Sequence, residues 1–113
     1  MVKEEPLLVI LHSIFGPMCT SAKAGQWLHD EIIAPMLRER RRVLLSFKNV
    51  ETVIPTFLNA AIGQLYGEFS EERIRELLSV EDIAQDDLND LKRVVENAIK
   101  YFAVLKSDIG EFL

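Results

Sequence analysis

Cysteine is almost missing from this chain. With Cys19 alone among 113 residues, no disulfide can close within the chain and no cysteine-only metal site can be built. A reducing compartment suits such a composition, and a cytoplasmic location is expected. Long apolar runs are missing too. The stretch from Leu7 to Phe15 is nine residues, whereas a membrane-spanning helix needs about 20. Glu4 and Glu5 precede it where a secretory leader would carry basic residues, so no membrane attachment is expected. Net positive charge is absent as well. The formal charge is −5, and affinity for nucleic-acid backbones comes mainly from clustered Lys and Arg, so a nucleic-acid partner is not expected. The one dense basic run, Arg38-Glu39-Arg40-Arg41-Arg42, reads as a solvated helix end whose cations suit the carbonyl pole of the helix dipole.

Loop chemistry is equally sparse. The five glycines are scattered singly, and none falls in G-x-S-x-G, G-x-G-x-x-G or a Walker-type loop. Only two histidines occur, His12 and His29, without a carboxylate or second histidine at metal-ligand spacing. His12 is expected as a strand residue and His29 as a helix surface or boundary residue. The acidic cluster Glu81, Asp82, Asp86, Asp87 and Asp90 lacks the central glycine of a calcium loop and fits the start of a helix. Neither metal nor cofactor is expected.

What remains is the makeup of a foldable globular domain, 49% apolar and 27% charged. "PLLVILHSIF" is rich in aliphatic residues on both faces and ends at Gly16-Pro17, as an interior parallel strand would. Ser21 can cap a helix through "AKAGQWLHDEII", with Ala24, Leu28 and Ile32 on one face; Pro35 kinks or ends it. "RRVLLSFKNV" is a second strand, expected at the centre of the sheet. From Pro55, a stripe of Leu58, Ala61, Ile62, Leu65 and Phe69 predicts a second long helix. Ser70 can cap the short "EERIRELL", "LLSVEDI" supplies a third strand, and Leu88, Leu91, Val95, Ala98, Phe102 and Leu105 mark the longest helix. The tail "SDIGEFL" is expected to fray, with Phe112 and Leu113 free to dock. The order β, α, β, α, α, β, α implies one α/β domain over 1–113: a small, mainly parallel sheet with right-handed crossovers placing helices on its faces.

Two short segments could carry function. Cys19 stands beside Thr20 and Ser21 near a helix start, where unpaired amides stabilise a thiolate; it is a candidate reactive thiol, against the simpler reading of a buried, inert one. Pro55-Thr56 opens the second helix. Proline at the first helical position removes an N–H that would have no partner. Thr56 is then either the cap or one residue inside, with its hydroxyl near free amides that tolerate added negative charge.

"RRVLLSFKNVETVIPTFLNAAIGQLY" resembles the central strand, turn and helix of STAS-like domains, relatives of the sulfate-transporter and anti-sigma-factor-antagonist fold. The resemblance runs from about Gly16 through Ala98, taking "AGQWLHDEIIAPML" as the first helix and "ERIRELLSVEDIAQDDLNDLKRVVENA" as the third strand and last helix. In the antagonists an Asp-Ser-Ser-Gly turn opens the second helix, and its second serine is phosphorylated by a partner kinase. Counting back from Gly63, Thr56 falls on that serine, which makes it a candidate phosphoacceptor. Pro55 replaces the first serine, Ile54 the aspartate and Phe57 the glycine. Ser46 stands where an aspartate commonly ends the "VLxF" strand. The antagonists' extra N-terminal strand is expected to be absent or shortened, which would leave a sheet edge open to a partner or a second copy.

The resemblance implies a non-enzymatic regulatory module of bacterial-type signalling. Its expected partner is a histidine-kinase-like ATPase, docked around Asn49, Pro55, Thr56 and Asn59. The alternative is a structural subunit that forms a homodimer. A third reading is a small-ligand protein or enzyme using Cys19, Thr20, Ser21 and a histidine near the ends of the parallel strands.

Overall fold

The structure, a computed structural model, describes residues 5–112, and the side chains of residues 5–106. Its elements run β1 (Leu7–Ile10), α1 (Leu11–Phe15), β2 (Met18–Cys19), α2 (Ala22–Leu28), a π-helical turn (His29–Ile33), α3 (Ala34–Arg38), β3 (Val43–Ser46), β4 (Thr52–Val53), α4 (Pro55–Ala61), a 3₁₀ turn (Gly63–Gly67), α5 (Glu71–Leu77), β5 (Leu78–Glu81) and α6 (Gln85–Phe112). The predicted α/β class and its three principal strands are present. The predicted first strand is shorter than expected: only Leu7–Ile10 is extended, and Leu11–Phe15 coils into a helical turn that ends at Gly16, φ 73°. His12 therefore lies on an exposed helical turn rather than in a strand.

β1, β3 and β5 form an all-parallel sheet in that order, with Leu7, Val43 and Leu78 in register at one end and Ile10, Ser46 and Glu81 at the other. β3 is central, as its apolar run predicts. Both crossovers advance across the sheet in the same direction. Right-handed connections of that kind put their helices on one face only. Side-chain alternation records the result: Val9, Val43 and Leu45 are 5%, 1% and 0% exposed, whereas Leu8 and Ile10 are 50% and 43% exposed. The expectation of helices on both faces, with β1 interior, is thus corrected. β1 is an edge strand, and among the described residues no helix covers the other face of the sheet.

After β1 and β3, both strand lines are interrupted and then resume side by side. α1 breaks the first. A turn breaks the second, closed by the Val50 amide donating to the Phe47 carbonyl at 3.0 Å, with Asn49 at φ 67°. β2 and β4 then pair in parallel, Met18 with Thr52 and Cys19 with Val53.

α2, the π turn and α3 form one continuous helical run. Ser21 caps it, its Oγ accepting from the Ala24 amide at 3.0 Å. Pro35 neither ends nor sharply breaks this run. In a regular α-helix its ring would strike the Glu31 carbonyl. The turn before it widens instead, and the Ala34 amide donates to the His29 carbonyl across five residues. The run closes in a Schellman arrangement: Arg41 donates to the Met36 carbonyl at 2.9 Å and Arg40 to Leu37 at 3.1 Å, with Arg40 held at φ 57°. The basic run from Arg38 therefore does sit at a helix end.

Pro55 opens α4 at its first position. The stripe of Leu58, Ala61, Ile62, Leu65 and Phe69 is buried throughout, but the helix is shorter than predicted, tightening after Ala61 into the 3₁₀ turn. Ser70 caps α5 through the Arg73 amide at 3.1 Å. α6 buries Leu91 and Ala98 and exposes Leu105. Its backbone stays helical to Phe112 where fraying was expected, and the docking expected of the Phe112 and Leu113 side chains lies outside the described side chains. Between sheet and helices lies one cluster of buried residues in which Phe57, Leu11, Leu28, Leu45 and Leu58 are 0–1% exposed. Each such side chain contributes roughly 1.5–3 kcal/mol on burial.

Candidate functional site

Because β2 and β4 are parallel neighbours, the helices that follow them start side by side. The Ile54 amide donates to the Cys19 carbonyl at 3.1 Å, so the segments Cys19-Thr20-Ser21 and Ile54-Pro55-Thr56, far apart in sequence, are brought together. α4 starts on Ile54, whose carbonyl accepts from the Phe57 and Leu58 amides at 3.1 and 3.3 Å. Ile54 has no side-chain acceptor and caps nothing. Thr56 is therefore one residue inside the helix rather than the cap, and it is exposed.

Pro55, Thr56 and Asn59 form one exposed strip on α4, while Phe57, Leu58 and Ala60 point inward. Asn59 lies over Gly63, its Oδ1 2.5 Å from where a Cβ on that glycine would stand. It also lines a groove of about 400 Å³ with Gln64, Asn97, Ala98, Tyr101 and Phe102, between α4 and α6. Asn49 lines a different hollow, at the carboxyl ends of β1, β3 and β5. The four residues expected to share one surface thus divide between two.

Cys19 is 0% exposed in the core. Burial pushes its thiol up to about 11, opposite to the lowering that a nucleophilic thiolate requires. Thr20 is half-buried and Ser21 has its hydroxyl committed to the α2 cap.

A polar cluster that sequence reasoning missed surrounds His29. The ring is buried at 6% exposure, with Nδ1 2.7 Å from Asp30 Oδ1 and Nε2 2.5 Å from Glu68 Oε2. An imidazolium satisfies both contacts by donating twice; a neutral ring satisfies one as a donor. Gln26 Nε2 donates to the same Asp30 oxygen at 2.8 Å, and Arg38 approaches Glu68 Oε1 at 3.6 Å. His29 first, then Gln26, holds the Asp30 carboxyl below its ordinary value. The cluster ties the π turn to the segment after the 3₁₀ turn, and His29, expected as a helix surface or boundary residue, is instead buried within it. Its one signal in the sequence was Pro35, which forces the widened turn carrying His29.

An apolar hollow of about 270 Å³ lies between α5, β5 and α6, lined by Ile62, Ile74, Leu78, Leu91 and Val95 with Tyr66 among them. Burial, with Glu71 nearby adding to it, raises the Tyr66 hydroxyl above its ordinary value. Among the described residues no group of three His, Cys, Asp or Glu is placed to hold a metal ion, and no helix is long and apolar enough to cross a membrane.

Neither a curated protein nor a solved structure matches the chain. A family match covers residues 24–88, from the first turn of α2 into α6, and so spans the π turn, β3, the start of α4 and β5. That is more than half of the chain, and the parallel sheet with its one-sided helices agrees with it. The chain belongs to the family described as a STAS-like domain of unknown function (DUF4325).

Proposed function

We propose that this domain is a non-enzymatic regulatory module that works by binding another protein, a histidine-kinase-like ATPase, through the exposed strip of Pro55, Thr56 and Asn59 on α4. Family membership supports the general role. The observation that carries the surface is the position of Thr56: exposed, in the first turn of α4, at the point where two helix starts emerge together from β2 and β4. A phosphate added there would bring close to two negative charges to a surface otherwise made of neutral residues, enough to change how a charged partner docks. Thr56 is thus the candidate phosphoacceptor, and Asn59, one turn on, the candidate contact. Asn49 joins this surface only if the partner also reaches the carboxyl ends of the sheet.

The experiment is to recover the tagged full chain from its native host, identify co-purifying proteins by mass spectrometry, and repeat with Thr56→Arg and Asn59→Arg. Both positions are exposed, so the fold should persist, as a thermal melt would verify. Loss of one specific ATPase in both variants supports the reading; retention of the same partner in both removes the α4 strip from it. Cys19 is buried with its thiol pushed up to about 11, which argues against its use as a nucleophile.

A further inference from the structure

One face of the sheet has no helix on it among the described residues. All-parallel sheets occur almost only with both faces covered, yet here Leu8 and Ile10 are 50% and 43% exposed and Leu44 is half-buried between them and β5. At the carboxyl ends of the strands the same face opens into a hollow of about 440 Å³ lined by His12, Ser46, Lys48, Asn49, Glu81 and Asp82. The charges are sorted by strand. Lys48 follows β3, while Glu81 ends β5 and Asp82 follows it; His12, after β1, offers a ring N–H. Among the described residues Lys48 makes no ion pair with either carboxylate, so opposite charges share one hollow without neutralising each other.

We propose that a second copy of this chain covers this face, the two sheets stacking about a two-fold axis that runs parallel to the strands. Such an axis lays β3 over β3, lays β1 over the second copy's β5, and keeps all carboxyl ends together. His12 then faces Glu81 and Asp82 of the second copy, Lys48 reaches the same carboxylates from near the axis, and symmetry repeats both contacts. Leu8, Ile10 and Leu44 supply the apolar contact between. An axis perpendicular to the strands would lay β1 on β1 and carboxyl ends on amino ends, leaving the charges unmatched. That charge pattern is what selects a second copy over an unrelated cover. Three strands of four residues present only about 200 Å² of sheet per copy, and even with the surrounding loops this falls at the small end of interface sizes. The dimer is therefore concentration-dependent. It also leaves the α4 strip free, because that strip lies on the helical side.

Sedimentation equilibrium of the full chain tests this. The wild type should show a monomer–dimer equilibrium. Ile10→Asp and Ser79→Arg should each weaken it by at least about tenfold; Ser79 is already exposed on this face, so the arginine blocks stacking without removing a core contact, and a thermal melt checks that both variants fold. Lys48→Glu and Glu81→Lys should each weaken the dimer, and the double charge reversal should restore it. A wild type that stays monomeric at its highest soluble concentration overturns the proposal. So does a dimer indifferent to Ser79→Arg, which would place the contact elsewhere, or a double variant no tighter than its parents, which would reject the axis.

Discussion

Gly25 of α2 lies directly against Phe57 of α4: a β-carbon on the glycine would overlap the Phe57 carbonyl oxygen and stand 2.9 Å from the Ala60 Cβ. Here α2 meets α4 backbone against backbone. Gly25→Ala should force α2 and α4 apart and cost about 1–3 kcal/mol, the usual penalty for overpacking a filled core. Urea denaturation reads it directly, and an unchanged midpoint would mean that the helices part without cost. Because α4 carries Thr56 and Asn59, the same variant should weaken partner binding more than its stability loss alone explains.

Cys19 should behave as an inert core thiol. Its pKa is raised in the folded state, from an ordinary 9.0 to about 11. The stability it contributes is therefore complete below pH 9 and is lost as pH rises toward 11. Thiol labelling of the native protein at neutral pH should be limited by unfolding, and Cys19→Ser should destabilise by about 1–3 kcal/mol through a buried hydroxyl. Rapid labelling of folded protein would contradict the burial.

Arg40 occupies the left-handed position of the helix stop after α3, a place that glycine usually fills. Arg40→Gly keeps both closing hydrogen bonds, because they are made by backbone amides, and removes the steric cost of a side chain at φ 57°. A stabilisation of up to about 1 kcal/mol is expected, net of glycine's greater freedom in the unfolded chain. Calorimetry showing a loss would mean that the Arg40 side chain contributes more than its backbone costs.

The His29 cluster predicts an acid-side effect. The Asp30 pKa is lowered chiefly by the His29 hydrogen bond, so its contribution is present above the unfolded aspartate value and is lost as pH falls through the folded one. In His29→Ala the Asp30 carboxyl should titrate upward, toward the ordinary 3.8. NMR titration of the side-chain carboxyl measures this, and an unmoved midpoint would assign the lowering to Gln26.

The sequence revealed most clearly what depends on local pattern. Ser21 and Ser70 announced their caps, Pro55 its helix start, and the run around Val43–Leu45 its place in the middle of the sheet. Where tertiary arrangement decides, it misled. Leu8 and Ile10 looked buried because an aliphatic run reads alike in an interior strand and an edge strand, and only the one-directional strand order shows which face stays bare. His29 looked like a surface or boundary residue because the α-helical period assigns its direction, whereas the π turn ahead of Pro35 shifts that period. The resemblance to the antagonists groups Asn49 and Asn59 on one surface, yet the Phe47–Val50 turn and the β4–α4 joint send them to different hollows.

The order of the strands across the sheet matches their order along the chain. On a ribosome, β1 emerges first and waits only for β3, and β3 waits only for β5, so no strand must be held apart to admit a later one between existing neighbours. Each closing contact spans a single crossover, which keeps loop-closure entropy modest and folding vectorial. A nascent chain that has emerged past Glu81 already contains all three strands, so both neighbours of β3 are available before α6 is made.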